Sequence, residues 1–189
     1  MNVILIHSKD TDPTQKWYPW LTRKLSARHI PFSAPALPHA DEPHIEEWRA
    51  ALTSFQPSQE TVLIGHSRGG VAGLRWLEDQ PKELKVKQVI LVAANSGFIK
   101  NQTVSGETNY GFYTEKGYDF SNILQHCSEF VLLHSKDDQW VPYLQGIENA
   151  EGLHAKLLTF DDRGHFGRGI NELPELLEAI LQSSSSSSA

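Results

Sequence analysis

The run Gly65-His66-Ser67-Arg68-Gly69-Gly70 sets a serine between glycines two positions to either side. It follows the apolar run at 61–64 and precedes a helical pattern over 71–78. In that setting G-x-S-x-G forms a strand-to-helix turn so tight that small residues must flank the serine, whose hydroxyl stands exposed at the apex. The oxygen then sits at a helix N-terminus, where N–H groups and the helix dipole favour a developing anion. The Arg68 backbone N–H is the expected first oxyanion donor. A serine hydroxyl is a weak nucleophile until a base takes its proton, so chemistry at Ser67 requires a histidine.

The chain has nine histidines. A base on a loop past a late strand, in the chain order serine, acid, histidine, selects His165. It lies in Gly164-His165-Phe166-Gly167, after the apolar run at 156–160. The acid belongs at the end of the preceding run, 130–134, which leads into Ser135-Lys136-Asp137-Asp138-Gln139-Trp140-Val141-Pro142. A carboxylate there holds the imidazole in one tautomer and stabilises its charged form. Asp137 and Asp138 both fit. Asp162, three residues before the histidine, reads better as a turn former. The second oxyanion donor is expected from the loop after the first strand, Ile6-His7-Ser8-Lys9-Asp10, at the Lys9 N–H with Ser8 as the fallback. His66 beside the serine, and the aromatics Phe98, Trp140 and Phe166, are candidate substrate contacts; the aromatics equally suit packing.

Other chemistries find less support. His39, Asp41 and His44 share a proline-flanked loop without a recognised ligand spacing, so no metal is expected. No dinucleotide or phosphate-loop motif appears, and no nucleotide cofactor is expected. Cys127, read as part of a helix leading to the run at 130, suits packing rather than nucleophilic attack.

The elements that must position these groups are short apolar runs at 3–6, 61–64, 88–93, 130–134 and 156–160, with a weaker one near 30–34. Nearly continuous apolar strands of this length are covered on both faces. Between them Trp17, Trp20, Leu21, Leu25 and Arg28 recur at helical spacing, as do Ile45, Trp48, Leu52 and Phe55, and later Leu173, Leu176, Leu177, Ile180 and Leu181. Strand and helix in alternation predict an α/β fold, a mostly parallel sheet between two helical layers. Ligands then bind beyond the carboxyl ends of the strands, where Ser67, the aspartates and His165 fall. The polar stretch 95–117, with Gly97, Gly106, Gly111, Gly117 and the aromatics Phe98, Tyr110, Phe112 and Tyr113, is expected to overhang the site as a short lid reaching residue 118 at most. One domain over 1–182 and a disordered serine-rich tail over 183–189 complete the expectation.

Composition narrows the function classes. A chain of 189 residues suits one domain. With 17 Lys+Arg against 23 Asp+Glu, its net charge of −6 provides no basic field for a nucleic-acid backbone. The longest apolar run, 89–94, is far too short to cross a bilayer. A single cysteine and an opening without a signal-like leader give the expectation of a cytoplasmic protein.

Taken together these motifs resemble the retinoblastoma-binding protein 9-like serine hydrolases of the α/β-hydrolase superfamily, over residues 2–182. The resemblance rests on Trp17-Tyr18-Pro19-Trp20-Leu21, the Ser67 turn, the segment Ser135 to Pro142, and Gly164-His165-Phe166. It implies a compact three-layer core without a large cap domain. The family's D-x-x-V-P pattern falls on Asp138, which implies a Ser67–His165–Asp138 triad. It further implies hydrolysis of a small carboxylic ester or related acyl substrate without a cofactor. Many α/β-hydrolases carry His-Gly where this chain has His7-Ser8, so the pattern departs at the second oxyanion donor. A partner-binding protein on the same scaffold, and an acyltransferase or perhydrolase on the same triad, are the alternatives.

Overall fold

Successive strand residues point to opposite faces of a sheet, and the buried side chains of this chain divide in that way. Val3, Leu5, Val62, Ile64, Ile90, Val92, Val131 and Leu133 pack into one apolar cluster. Their neighbours Ile4, Ile6, Leu63, Val89, Leu91, Phe130 and Leu132 pack into another. In the computed structural model, which describes residues 1–101 and 109–183, six strands carry this pattern: β1 (Asn2–Ile6), β2 (Phe32–Ser33), β3 (Thr61–His66), β4 (Gln88–Val92), β5 (Phe130–Ser135) and β6 (Lys156–Phe160). All the pairings are parallel, in the order β2-β1-β3-β4-β5-β6.

Helices α1 (Tyr18–Ser26) and α6 (Pro174–Gln182) supply Trp20, Leu21, Leu176 and Ile180 to the first cluster. Helices α2 (Ile45–Ser54) and α3 (Arg68–Glu78) supply Trp48, Leu52, Leu74 and Leu77 to the second. The short α4 (Phe120–Ile123) and α5 (Tyr143–Gly152) complete that layer with Ile123 and Ala150. The result is the expected three-layer α/β architecture. Among the described residues no helix is long and apolar enough to cross a membrane.

This strand order dictates where a site can form. The chain steps outward from β1 to β2, then returns to β3 on the other side of β1. The loops leaving β1 and β3 therefore diverge, opening a crevice at their carboxyl ends. The Ser67 turn follows β3, and the His7–Lys9 segment follows β1.

Some boundaries differ from the sequence expectation. The weak strand near 30–34 forms only two ladder residues, at the sheet edge. Helix α3 begins at Arg68 rather than at 71. Cys127 lies past the end of α4, not within a helix. Helix α5 has no counterpart in the apolar periodicity. Ser183 is not part of a tail: it is buried at the C-cap of α6, its hydroxyl donating to the Ile180 carbonyl at 2.8 Å. The rest of the expected tail, 184–189, lies outside the described residues.

Part of the segment expected to be a lid, 102–108, also lies outside the described residues. Its described flanks are clamped onto α3 by one buried guanidinium. Arg75 donates to the carbonyls of Phe112, Gly97 and Gly117 at 3.1, 3.0 and 2.8 Å, and pairs with Glu78 at 2.9 Å. Its planar face lies over the Tyr118 ring at 4.7 Å. Arginine suits the role because its fork of donors reaches several backbone oxygens at once. Phe112 is fully buried against Trp48.

Candidate active site

The turn between β3 and α3 shows why glycine recurs around Ser67. A Cβ on Gly65 would lie 2.4 Å from the Gly70 Cα, and one on Gly69 would lie 2.3 Å from the Ile6 carbonyl oxygen. Both obstacles are backbone, so neither can move aside. Ser67 itself adopts φ 54°, ψ −121°, a region that costs a side-chain-bearing residue of order 1–3 kcal/mol. Gly69→Ala is expected to destabilise the protein by about 3 kcal/mol or more, read as a lowered thermal midpoint. An unchanged midpoint would mean that α3 is not pressed against the end of β1.

Ser67, His165 and Asp138 meet at this turn although they come from three loops. Ser67 Oγ lies 2.8 Å from His165 Nε2, and His165 Nδ1 lies 2.8 Å from Asp138 Oδ2. The Asp138 carboxylate is shielded from solvent, whereas the imidazole is partly exposed. Its other oxygen, Oδ1, accepts the backbone N–H groups of Trp140 and Val141 at 2.8 and 2.9 Å. The Val141 carbonyl accepts from Nε2 of His134, 3.0 Å away, a ring whose burial depresses its basicity and keeps it neutral.

Asp137 turns the other way. Its Oδ1 accepts from the Ser135 hydroxyl at 2.5 Å and the Gly164 N–H at 2.8 Å, bonds that hold its carboxyl below the usual range. Ser135 Oγ in turn accepts the Arg163 N–H at 3.0 Å. The pair of aspartates is thereby divided: one faces the histidine ring, the other ties down the backbone that carries it.

Two further anchors fix that histidine loop from beneath. Trp17 Nε1 donates to the Phe166 carbonyl at 3.1 Å, and His66 Nε2 donates to the His165 carbonyl at 2.9 Å. With Nε2 protonated, His66 Nδ1 accepts from the Tyr18 hydroxyl at 2.7 Å. Complete burial pushes this imidazole well below its ordinary pKa, so it stays neutral.

The loop after β1 is held by the same kind of network. His7 Nε2 accepts from the Leu37 N–H at 3.0 Å, leaving Nδ1 to donate to the Ser8 carbonyl at 2.9 Å. The Ser8 N–H donates to the Tyr18 hydroxyl at 3.1 Å. That amide is thereby already engaged. Lys9 and Arg68 both line a cleft of about 620 Å³ with Ser67 and His165.

The remaining candidates separate by position. Trp140 lines the cleft and is 60% exposed. His66, the residue before the nucleophile turn, points into the molecule and does not line it. Phe166, at φ 51°, turns inward and packs edge-on against Phe160. Phe98 packs over Gly117, where a Cβ would lie 2.6 Å from its ring. Of the four aromatics in the expected lid segment, Tyr113 is the one that lines the cleft among the described residues. Nothing in the sequence ranks Tyr113 above its aromatic neighbours. The sequence does not mark Tyr18 and Trp17 as site residues, because their partners His66 and Phe166 lie far along the chain.

Among the described residues no cluster of three His, Cys, Asp or Glu is placed to hold a metal ion. His39 pairs with Glu47 at 2.9 Å, and the His44 ring lies on Tyr110. Burial pushes the Cys127 thiol up to about 11, which leaves it protonated and unreactive.

Comparison with known proteins adds an independent line. A family model described as Serine hydrolase matches residues 3–181. YdeN of Bacillus subtilis (strain 168) is 29% identical over 182 residues, covering 94% of this chain and 93% of that protein. Serine hydrolase RBBP9 of Rattus norvegicus is 28% identical over 177 residues, covering 88% of this chain and 86% of that one. The crystal structure of the B. subtilis ydeN gene product superposes with a TM-score of 0.87 at 26% identity, over 97% of this chain and 98% of that structure.

Proposed function

This chain belongs to the serine hydrolase family, with an α/β-hydrolase fold, and from that premise we propose that it hydrolyses small carboxylic esters through a Ser67–His165–Asp138 triad. Ser67 Oγ attacks the acyl carbon while its proton passes to His165 Nε2. Asp138, bonded to Nδ1–H, holds the tautomer in which Nε2 is free to accept and stabilises the imidazolium that forms. The carbonyl oxygen becomes an oxyanion between the Arg68 and Lys9 backbone N–H groups, at the positive end of α3. His165 then returns the proton to the departing alcohol oxygen as the C–O bond breaks, leaving Ser67 acylated. Water repeats the cycle: it loses a proton to His165, attacks the acyl carbon and releases the acid, and Ser67 recovers its proton. Every step uses groups of this chain, so the proposal includes no cofactor.

The observation that carries this reading is the pair of 2.8 Å contacts joining serine, imidazole and carboxylate. A cleft of about 620 Å³ suits a small-molecule acyl substrate, with Tyr113 and Trp140 as its aromatic walls. The test is stopped-flow hydrolysis of p-nitrophenyl esters of increasing acyl length. The expected result is a burst of about one p-nitrophenolate per protein with the best ester, since an acyl-enzyme accumulates when deacylation is the slower step. No turnover above the solution rate with any ester would overturn it.

A further inference from the structure

We propose that the acyl substrate carries an anionic group, a carboxylate in the simplest case, bound in the cleft by Lys16 and Arg168. This deepens the proposed ester hydrolysis and rests on it. The charge lining the cleft is opposite in sign to that of the chain. Among the described residues Lys9, Lys16, Arg68 and Arg168 face it against one carboxylate, Asp10, in a protein of net charge −6. A cleft lined by one sign of charge draws the opposite ion to itself.

Lys16 is the central residue. Its ammonium donates to Ser8 Oγ at 2.7 Å, and a Cβ on Gly167 would lie 4.0 Å from its Nζ. The cation is therefore wedged between the loop that carries Lys9 and the loop that carries His165. Asp10 lies within ion-pair reach of Lys9, at 4.0 Å. Among the described residues neither Lys16 nor Arg168 makes an ion pair with a carboxylate. Burial draws the Lys16 pKa down to about 8, and the Asp10 carboxylate offsets that shift only in part. Lys16 also holds a left-handed backbone, φ 56°, which is unfavourable for a long side chain and aims this one into the cleft. Arg168 follows Gly167 on the same wall with its side chain exposed. A partly buried ammonium and an exposed guanidinium flanking one space suit a carboxylate that enters from solvent and pairs with both.

The test uses two ester pairs matched in shape and differing in charge: p-nitrophenyl hydrogen adipate against p-nitrophenyl hexanoate, and 4-acetoxybenzoate against its methyl ester. The expected result is that the acid of at least one pair has a kcat/KM about tenfold or more above its neutral partner. Lys16→Met is expected to lower that ratio about tenfold, and Arg168→Gln to lower it by a smaller factor. A preference for the neutral ester in both pairs would overturn the proposal, as would variants that slow both members of a pair by the same factor, since a merely structural Lys16 behaves in that way. A second measurement stands apart from catalysis. In the Ser67→Ala protein, monomethyl adipate is expected to raise the melting temperature more than dimethyl adipate, and Lys16→Met to remove the difference. Equal shifts from the two esters would overturn the anion site even if hydrolysis holds. Unequal shifts in a protein without esterase activity would uphold the anion site and overturn only the hydrolase reading.

Discussion

Asp138→Asn is expected to lower kcat by about 10⁴, the loss that follows when a triad histidine is held in the wrong tautomer. The geometry leaves the asparagine little choice. Two backbone N–H groups, from Trp140 and Val141, point at Oδ1, so the amide oxygen of an asparagine must occupy that position. Its NH2 group then faces His165 Nδ1 and donates where the carboxylate accepted. Nδ1 becomes an acceptor, Nε2 carries the proton, and Ser67 loses its base. Asp137→Asn is expected to cost less than about 10², the scale of a modest misplacement of the reacting groups. Its oxygen can still accept from Gly164, and it touches the loop rather than the ring. Steady-state kinetics on the two variants checks both expectations; equal losses, or a larger loss at 137, would contradict the assigned acid.

Ser67→Ala is expected to remove at least about 10⁴ of kcat, since among the described residues the hydroxyl bonded to His165 Nε2 is that of Ser67. The fold should survive. Alanine keeps the Cβ and meets the same backbone penalty at φ 54° that serine already meets. Ser67→Gly should relieve that penalty and melt no lower than the wild type, while being equally inactive. Activity retained by either variant would mean that another group attacks the acyl carbon.

How far the sequence reveals these features depends on how local their causes are. Four apolar runs disclose β1, β3, β4 and β5 because a strand buried on both faces must be apolar throughout, whereas the run at 156–160 forms the half-exposed edge strand β6. The Ser67 turn is legible because its steric requirement falls on residues within two positions. Helix α5 is hidden for a comparable reason. It contains Gly146 and ends at Gly152, residues that weaken a helical pattern, yet Gly146 is required because a Cβ there would lie 2.5 Å from His134 Nδ1. His66 and Phe166 adjoin Ser67 and His165 in sequence, yet neither side chain lines the cleft. Strand alternation turns one inward, and a left-handed backbone turns the other. The functions of Tyr18, Trp17, Asp137 and Arg75 arise from partners in other loops. No local spacing encodes a hydroxyl that bonds His66, 48 residues away, or a guanidinium that gathers carbonyls from both flanks of one segment.

The most direct measurement is peptide mapping after reaction with a fluorophosphonate, which phosphonylates a serine only where a base activates it and an oxyanion site receives the new charge. The expected result is one adduct per wild-type molecule, on the peptide that contains Ser67, absent from Ser67→Ala and greatly slowed in Asp138→Asn. An adduct on any other residue, or labelling that persists when Ser67 is replaced, would contradict the account.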